Sequence, residues 1–113
     1  MEESKRLRTA KALDEFEGLF NEQVGLPLRK EVRAASHVQN VLAVSIRKTV
    51  EQIADEYGLE FDTIWVECMA LARERMEKAV DGLCDTYYSE PLIENGKAVG
   101  QKITYYMDIR RLA

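Results

Sequence analysis

The sequence predicts an all-α fold: a small helical bundle with a helix-turn-helix-like centre, one long helix and a short C-terminal β-hairpin. Three observations carry this. Residues 62–87 hold apolar side chains at helical spacing without a break. Residues 4–24 carry a second such stripe. Asn95-Gly96 is a strong β-turn signal. A chain of 113 residues, 46% hydrophobic, suits one domain spanning 1–113 with a buried core.

The first helix is expected over 4–24. Leu7, Ala10, Leu13, Phe16, Phe20 and Val24 recur every three or four positions. Gly18 weakens it by about 1 kcal/mol relative to Ala. Gly25 and Pro27 supply a stop. Residues 28–57 are read as helical, broken by two capping boxes, Ser36-His37-Val38-Gln39 and Thr49-Val50-Glu51-Gln52. The run Val41-Leu42-Ala43-Val44-Ser45-Ile46 is rich in β-branched residues, but its helical neighbours favour helix. Tyr57-Gly58-Leu59 is a stop, with Gly58 left-handed and Leu59 folding back on the last turn.

The long helix is expected from Asp62, its N-cap, through Ile64, Cys68, Ala72, Met76, Ala79 and Leu83 to Tyr87. Ser89-Glu90-Pro91 ends it. Leu92–Val99 forms the hairpin, with Glu94 and Lys97 facing each other across a type I′ turn. Ile103–Ala113 is read as helix rather than strand.

Cys68 and Cys84 lack metal-ligand spacing. Sixteen positions along one helix separate them by about 24 Å, so they read as reduced core cysteines. Asp81 and Asp85 lie four apart, but two carboxylates make a poor cation site, and no metal or other cofactor is expected. His37 is the lone histidine, with no nucleophile placed near it, and the glycines form no phosphate cradle. A non-enzymatic protein is therefore expected. Tyr87, Tyr88, Tyr105 and Tyr106 are read as packing between the long helix and the C-terminal segment.

Net charge is -4 and unevenly spread. Residues 1–50 balance to +2 and residues 51–113 to -6. The candidate nucleic-acid-binding cations are Lys5, Arg8 and Lys11 on the first helix, Arg29, Lys30 and Arg33, and Arg47 with Lys48. Lys5, Arg8 and Lys11, at three-residue spacing, present one basic strip for phosphate contact.

Residues 49–69 resemble a helix-turn-helix within a unit spanning 37–70. Ala54 sits where two helices cross closely, Gly58 permits the turn and Ile64 anchors the second helix, beside Ile53 and Leu59. A helix at 37–47 would complete the unit. Glu67 occupies a position that is apolar in the motif. The second helix offers Glu60, Asp62, Trp65 and Val66, with no Lys or Arg, to a duplex whose phosphates repel carboxylates.

The second half also resembles bacteriophage small terminase subunits. The stretches that carry this are Ala72-Arg73-Glu74-Arg75 and Leu83-Cys84-Asp85-Thr86 on the long helix, and Asp108-Ile109-Arg110-Arg111-Leu112-Ala113 at the end. The resemblance implies an oligomeric component of viral DNA packaging. It would bind double-stranded DNA, regulate a separate ATPase and carry no catalysis of its own. The alternative is an acidic helical interaction module, a phage-encoded inhibitor or adaptor that docks on a protein partner. Self-association is expected through the helices at 4–24 and 62–87. No apolar run approaches a membrane span, and the opening Met-Glu-Glu-Ser-Lys-Arg leads into no signal peptide. The expected compartment is the cytoplasm, that of a bacterial host if the chain is phage-encoded.

Overall fold

The computed structural model describes residues 4–25, 38–81, 84 and 86–107. Helix α1 spans Lys5–Phe20 and runs into a π-helical turn, Asn21–Gly25. Strand β1 (Gln39–Ser45) leads into α2 (Arg47–Glu56) and α3 (Phe61–Val80). Strands β2 (Thr86–Glu94) and β3 (Lys97–Tyr106) follow as a hairpin. The strands form one antiparallel sheet in the order β1-β3-β2. The fold is mixed α/β, and the expected all-α bundle is wrong.

The error has two sources. Val41–Ile46 is strand for all but its last residue, because side chains alternate there: Leu42 is buried while Val41 and Ala43 are exposed. The helix expected at 37–47 is therefore strand over Gln39–Ser45, and the further helix that packs with α2 and α3 is α1. Helix α3 ends at Val80, where Asp81 turns extended (φ -61°, ψ 135°), so the helix does not reach Tyr87. Tyr87 lies in β2, as do Ser89, Glu90 and Pro91. Ile103–Tyr106, expected to be helical, belongs to β3.

Local chemistry explains the helix ends. The Ser4 hydroxyl caps α1 by accepting from the Leu7 amide at 3.2 Å. The expected box at Thr49 is not used, since α2 starts earlier, after Ile46. The box at Ser36 begins outside the described residues. Asp62 lies in the first turn of α3 rather than at its cap, Glu60. The stop at Tyr57-Gly58-Leu59 forms as expected. Gly58 is left-handed (φ 63°), its N–H donates to the Asp55 carbonyl at 3.2 Å, and the Leu59 N–H donates to Ala54 at 2.8 Å. Those two bonds make a Schellman motif. Asn95 and Gly96 both take positive φ, as the hairpin turn requires.

One core joins the layers. Ala12, Phe16 and Phe20 of α1 meet Val50 and Ile53 of α2 and Ile64, Cys68, Ala72 and Met76 of α3, and Leu42, Ile103 and Tyr105 cover them from the sheet. Of the expected α1 stripe Phe16 and Phe20 are buried within one chain while Leu7 and Ala10 are exposed, and of the α3 stripe Ile64, Cys68, Ala72, Met76 and Ala79 are buried. Arg75 of α3 also pairs with Glu17 of α1. Burial raises the Cys68 thiol pKa to about 12, leaving it inert. No helix among the described residues is long and apolar enough to cross a membrane.

Three glycines make distinct predictions for denaturant unfolding. A Cβ at Gly100 would lie 1.8 Å from the Val44 carbonyl oxygen, so Gly100→Ala should cost about 3 kcal/mol or more. Gly58→Ala should cost about 1–2 kcal/mol, from its left-handed φ. Gly18 lies in α1 with open space around it, so Gly18→Ala should gain about 0.5–1 kcal/mol.

Candidate functional site

Helix α2, the turn Tyr57–Glu60 and α3 follow one another directly and share one core, with the β2–β3 hairpin packed against α3. One side chain links these parts. The Arg47 guanidinium carbon lies 4.6 Å from the Phe61 ring centroid and 5.7 Å from that of Trp65. The two rings stack, 4.9 Å apart and 25° from parallel. Arg47 Nε donates to Glu51 Oε1 at 3.1 Å, and Nη1 donates to the Ala98 carbonyl at 3.1 Å. The Ile46 amide adds a bond to the Val99 carbonyl at 2.8 Å. Arg47 therefore holds the start of α2, the first turns of α3 and the turn end of the hairpin together.

A second arginine fixes the turn. Arg8 Nη1 donates to the carbonyls of Tyr57 and Gly58, at 3.3 and 3.2 Å. These are acceptors that a helix end leaves without intrahelical partners. Arg8 thus closes α1 onto the end of α2. Nearby in sequence, burial raises the Glu15 pKa, and the Glu56 carboxyl reinforces this by hydrogen bonding and repulsion.

The candidate cations named in the sequence lie at different places in the fold. Arg8 lies at the C-terminal end of α2, and Arg47 and Lys48 lie at its N-terminal end. The ten residues of α2 separate those ends by about 15 Å. Arg8 and Arg47 are engaged in internal contacts. Lys5, Lys11 and Lys48 have exposed side chains. Arg29, Lys30 and Arg33 lie outside the described residues, as do His37 and Asp85. Among the described residues no group of three His, Cys, Asp or Glu side chains is placed to hold a metal ion.

Helix α3 presents a different chemistry. From Phe61 to Ala72 its charged residues are Asp62 and Glu67, both exposed. Val66 between them is 71% exposed, and Ala70 lies one turn on. Trp65 and Met69 flank them, half-buried. Glu60 extends the acidic edge into the turn. On the hairpin, Ile93 is 55% exposed beside Glu94 and Lys97. The cations of α3 come later and are paired: Arg73 with Glu77, Lys78 with Glu74 and Arg75 with Glu17. Arg73 holds the Glu77 carboxyl below the usual range, and Ser89 Oγ donates to it at 2.8 Å, tying β2 to α3.

The tyrosines also divide. Tyr105 is buried and Tyr87 half-buried against the helices. Tyr88 and Tyr106 lie on the outer sheet face, edge to face at 6.0 Å, outside the helix packing expected of them. Sequence reasoning missed Arg47 as a structural residue. Its i, i+4 relation to Glu51 was the available signal.

Comparison with protein-family models, with curated proteins and with solved structures finds no match to this chain.

Arg47→Ala should destabilise the fold by about 1–2 kcal/mol, from the lost cation–π contact and charged hydrogen bonds. Trp65 is the sole tryptophan, so its emission should shift to the red. Arg47→Lys should recover less than half of the loss, since an ammonium cannot lie flat on both rings while bridging Glu51 and Ala98.

Proposed function

We propose that the chain is a non-enzymatic binding module that docks a basic protein surface on the exposed side of α3 and the hairpin tip. The order α1-β1-α2-α3-β2-β3, with the sheet ordered β1-β3-β2, sets a helix-turn-helix-like pair beside a β-hairpin. There α3 exposes Val66 and the hairpin tip exposes Ile93. The observation that carries the reading is the chemistry of the helix. Val66 is largely exposed between Asp62 and Glu67, with no Lys or Arg from Phe61 to Ala72. An apolar centre with an acidic rim suits a partner with an apolar centre and a basic rim. It does not suit a duplex groove, where carboxylates meet phosphates.

Association with double-stranded DNA, in the manner of a small terminase subunit, is the second reading. Two features favour it: the helix-turn-helix-like order of α2 and α3, and the exposed cations Lys5, Lys11 and Lys48. These would grip phosphates without reading sequence, because they lie off the presented helix.

The test is a pair of titrations of isotope-labelled chain followed by amide NMR. One uses a synthetic amphipathic helix of Lys and Leu, the other a random-sequence duplex. The peptide should shift Asp62, Val66, Glu67, Ala70 and Ile93, and Asp62→Lys with Glu67→Lys should weaken binding at least tenfold in a folded chain. Salt-dependent duplex binding that survives those two changes, and falls on charge reversal of Lys5 and Lys48, would replace this reading with the DNA one.

A further inference from the structure

We propose that β1 pairs antiparallel, along its outer edge, with β1 of a second copy, joining two three-stranded sheets into one of six. This surface is separate from the α3 face and stands without it.

Strand β3 is central, so β1 and β2 each have one edge turned away from it. At one end of β1 the Met107 amide donates to the Val38 carbonyl, and at the other the Ile46 amide donates to Val99, both at 2.8 Å. Antiparallel ladders alternate, so residues 38, 40, 42, 44 and 46 are the ones bonded to β3. Gln39, Val41, Ala43 and Ser45 direct their N–H and C=O groups to the outer edge. All four side chains are exposed, Val41 at 52%. Among the described residues no strand pairs with that edge.

The two outer edges are built differently. By the same alternation Tyr87, Ser89 and Pro91 face outward on β2. Pro91 has no N–H to offer, and Leu92/Ile93 carries a register shift. Glu90 and Glu94 add charge. Proline, bulges and charge are the devices that block edge pairing. Strand β1, Gln-Asn-Val-Leu-Ala-Val-Ser, has none of them.

The occupant follows from self-complementarity. A two-fold axis at Leu42 sets Val41 opposite Ala43 of the other copy, and Gln39 opposite Ser45. These are the residues with outward-facing groups, so each pair exchanges two hydrogen bonds, about eight in all. Leu42 faces its own counterpart on the inner side and Asn40 faces Val44. No like charges meet, since the strand carries none. The blocked β2 edge then stops growth at two copies, giving a closed isologous dimer.

The experiment measures mass by light scattering across a dilution series, with amide exchange by NMR, on the full chain and on Val41→Pro. That change removes an outward N–H and leaves the bonds to β3 in place. The unaltered chain should be a dimer with slow exchange at Val41 and Ala43. Val41→Pro should be a folded monomer with slow exchange at Leu42 and Val44 and at least tenfold faster exchange at Ala43. If Val41→Pro fails to fold, Ala43→Lys, which keeps every N–H, should give the same monomer. A monomeric unaltered chain overturns the proposal, whether the Val41 and Ala43 amides are open or covered by the chain's own residues. So does a dimer that persists in a folded variant with its mass unchanged.

Discussion

Arg47 is the residue through which the presented elements are held to one another. Burial decides that the chain folds: a side chain such as Phe16, Ile64 or Tyr105 contributes about 1.5–3 kcal/mol by leaving water. Burial is non-directional, however, and the core leaves the hairpin tip outside it. The position of the hairpin relative to α3 needs directional contacts. Arg47 supplies them by resting on Phe61 and Trp65 while donating to Ala98. Together these contacts contribute about 1–2 kcal/mol, less than the core but with fixed geometry. Ser89 and Glu77 do the same at the other end of the sheet.

The arginines show how a structure reassigns charge. A cation in a sequence reads as available to an anionic partner. Arg8 instead binds the carbonyls that end α2, and Arg47 binds an aromatic pair, a carboxylate and a carbonyl. Both lie where the chain changes direction and leaves acceptors exposed. Planar guanidinium groups serve such places well, because several donors leave one rigid group. At the surface Glu60, Asp62 and Glu67 make the turn and the start of α3 acidic, while Lys5 on α1 and Lys48 at the start of α2 are exposed elsewhere. The acidity of that face was legible in Glu60, Asp62 and Glu67. The engagement of Arg8 and Arg47 was not, because it depends on contacts across 49 and 51 positions of sequence.

Long periodic segments and glycine-marked turns were readable. Helix α1, the body of α3, the Gly58 stop and the Asn95-Gly96 hairpin each rest on local rules, and each formed. The sheet was not readable, since its evidence is ambiguous locally. Leu42 and Ile46 are four apart, as on a helix face, yet Leu42, Val44 and Ile46 also alternate. Leu83 and Tyr87 extend the helical period of α3 on paper, while Tyr87, Ser89 and Pro91 alternate as a strand. Pairing with β3 settles both, and that partner lies far away in sequence. Pro91 looked like a breaker because its place on an outer edge becomes visible only once the sheet order is known.

Whether Arg47 locks α2, α3 and the hairpin into one unit can be read from the solution NMR signals of its side chain. Ring currents from Phe61 and Trp65 should move the Arg47 side-chain protons upfield. Nuclear Overhauser contacts should connect them to both rings and to Ala98. Random-coil shifts for Arg47, with no contact to Trp65 or Ala98 in a folded chain, would contradict the account.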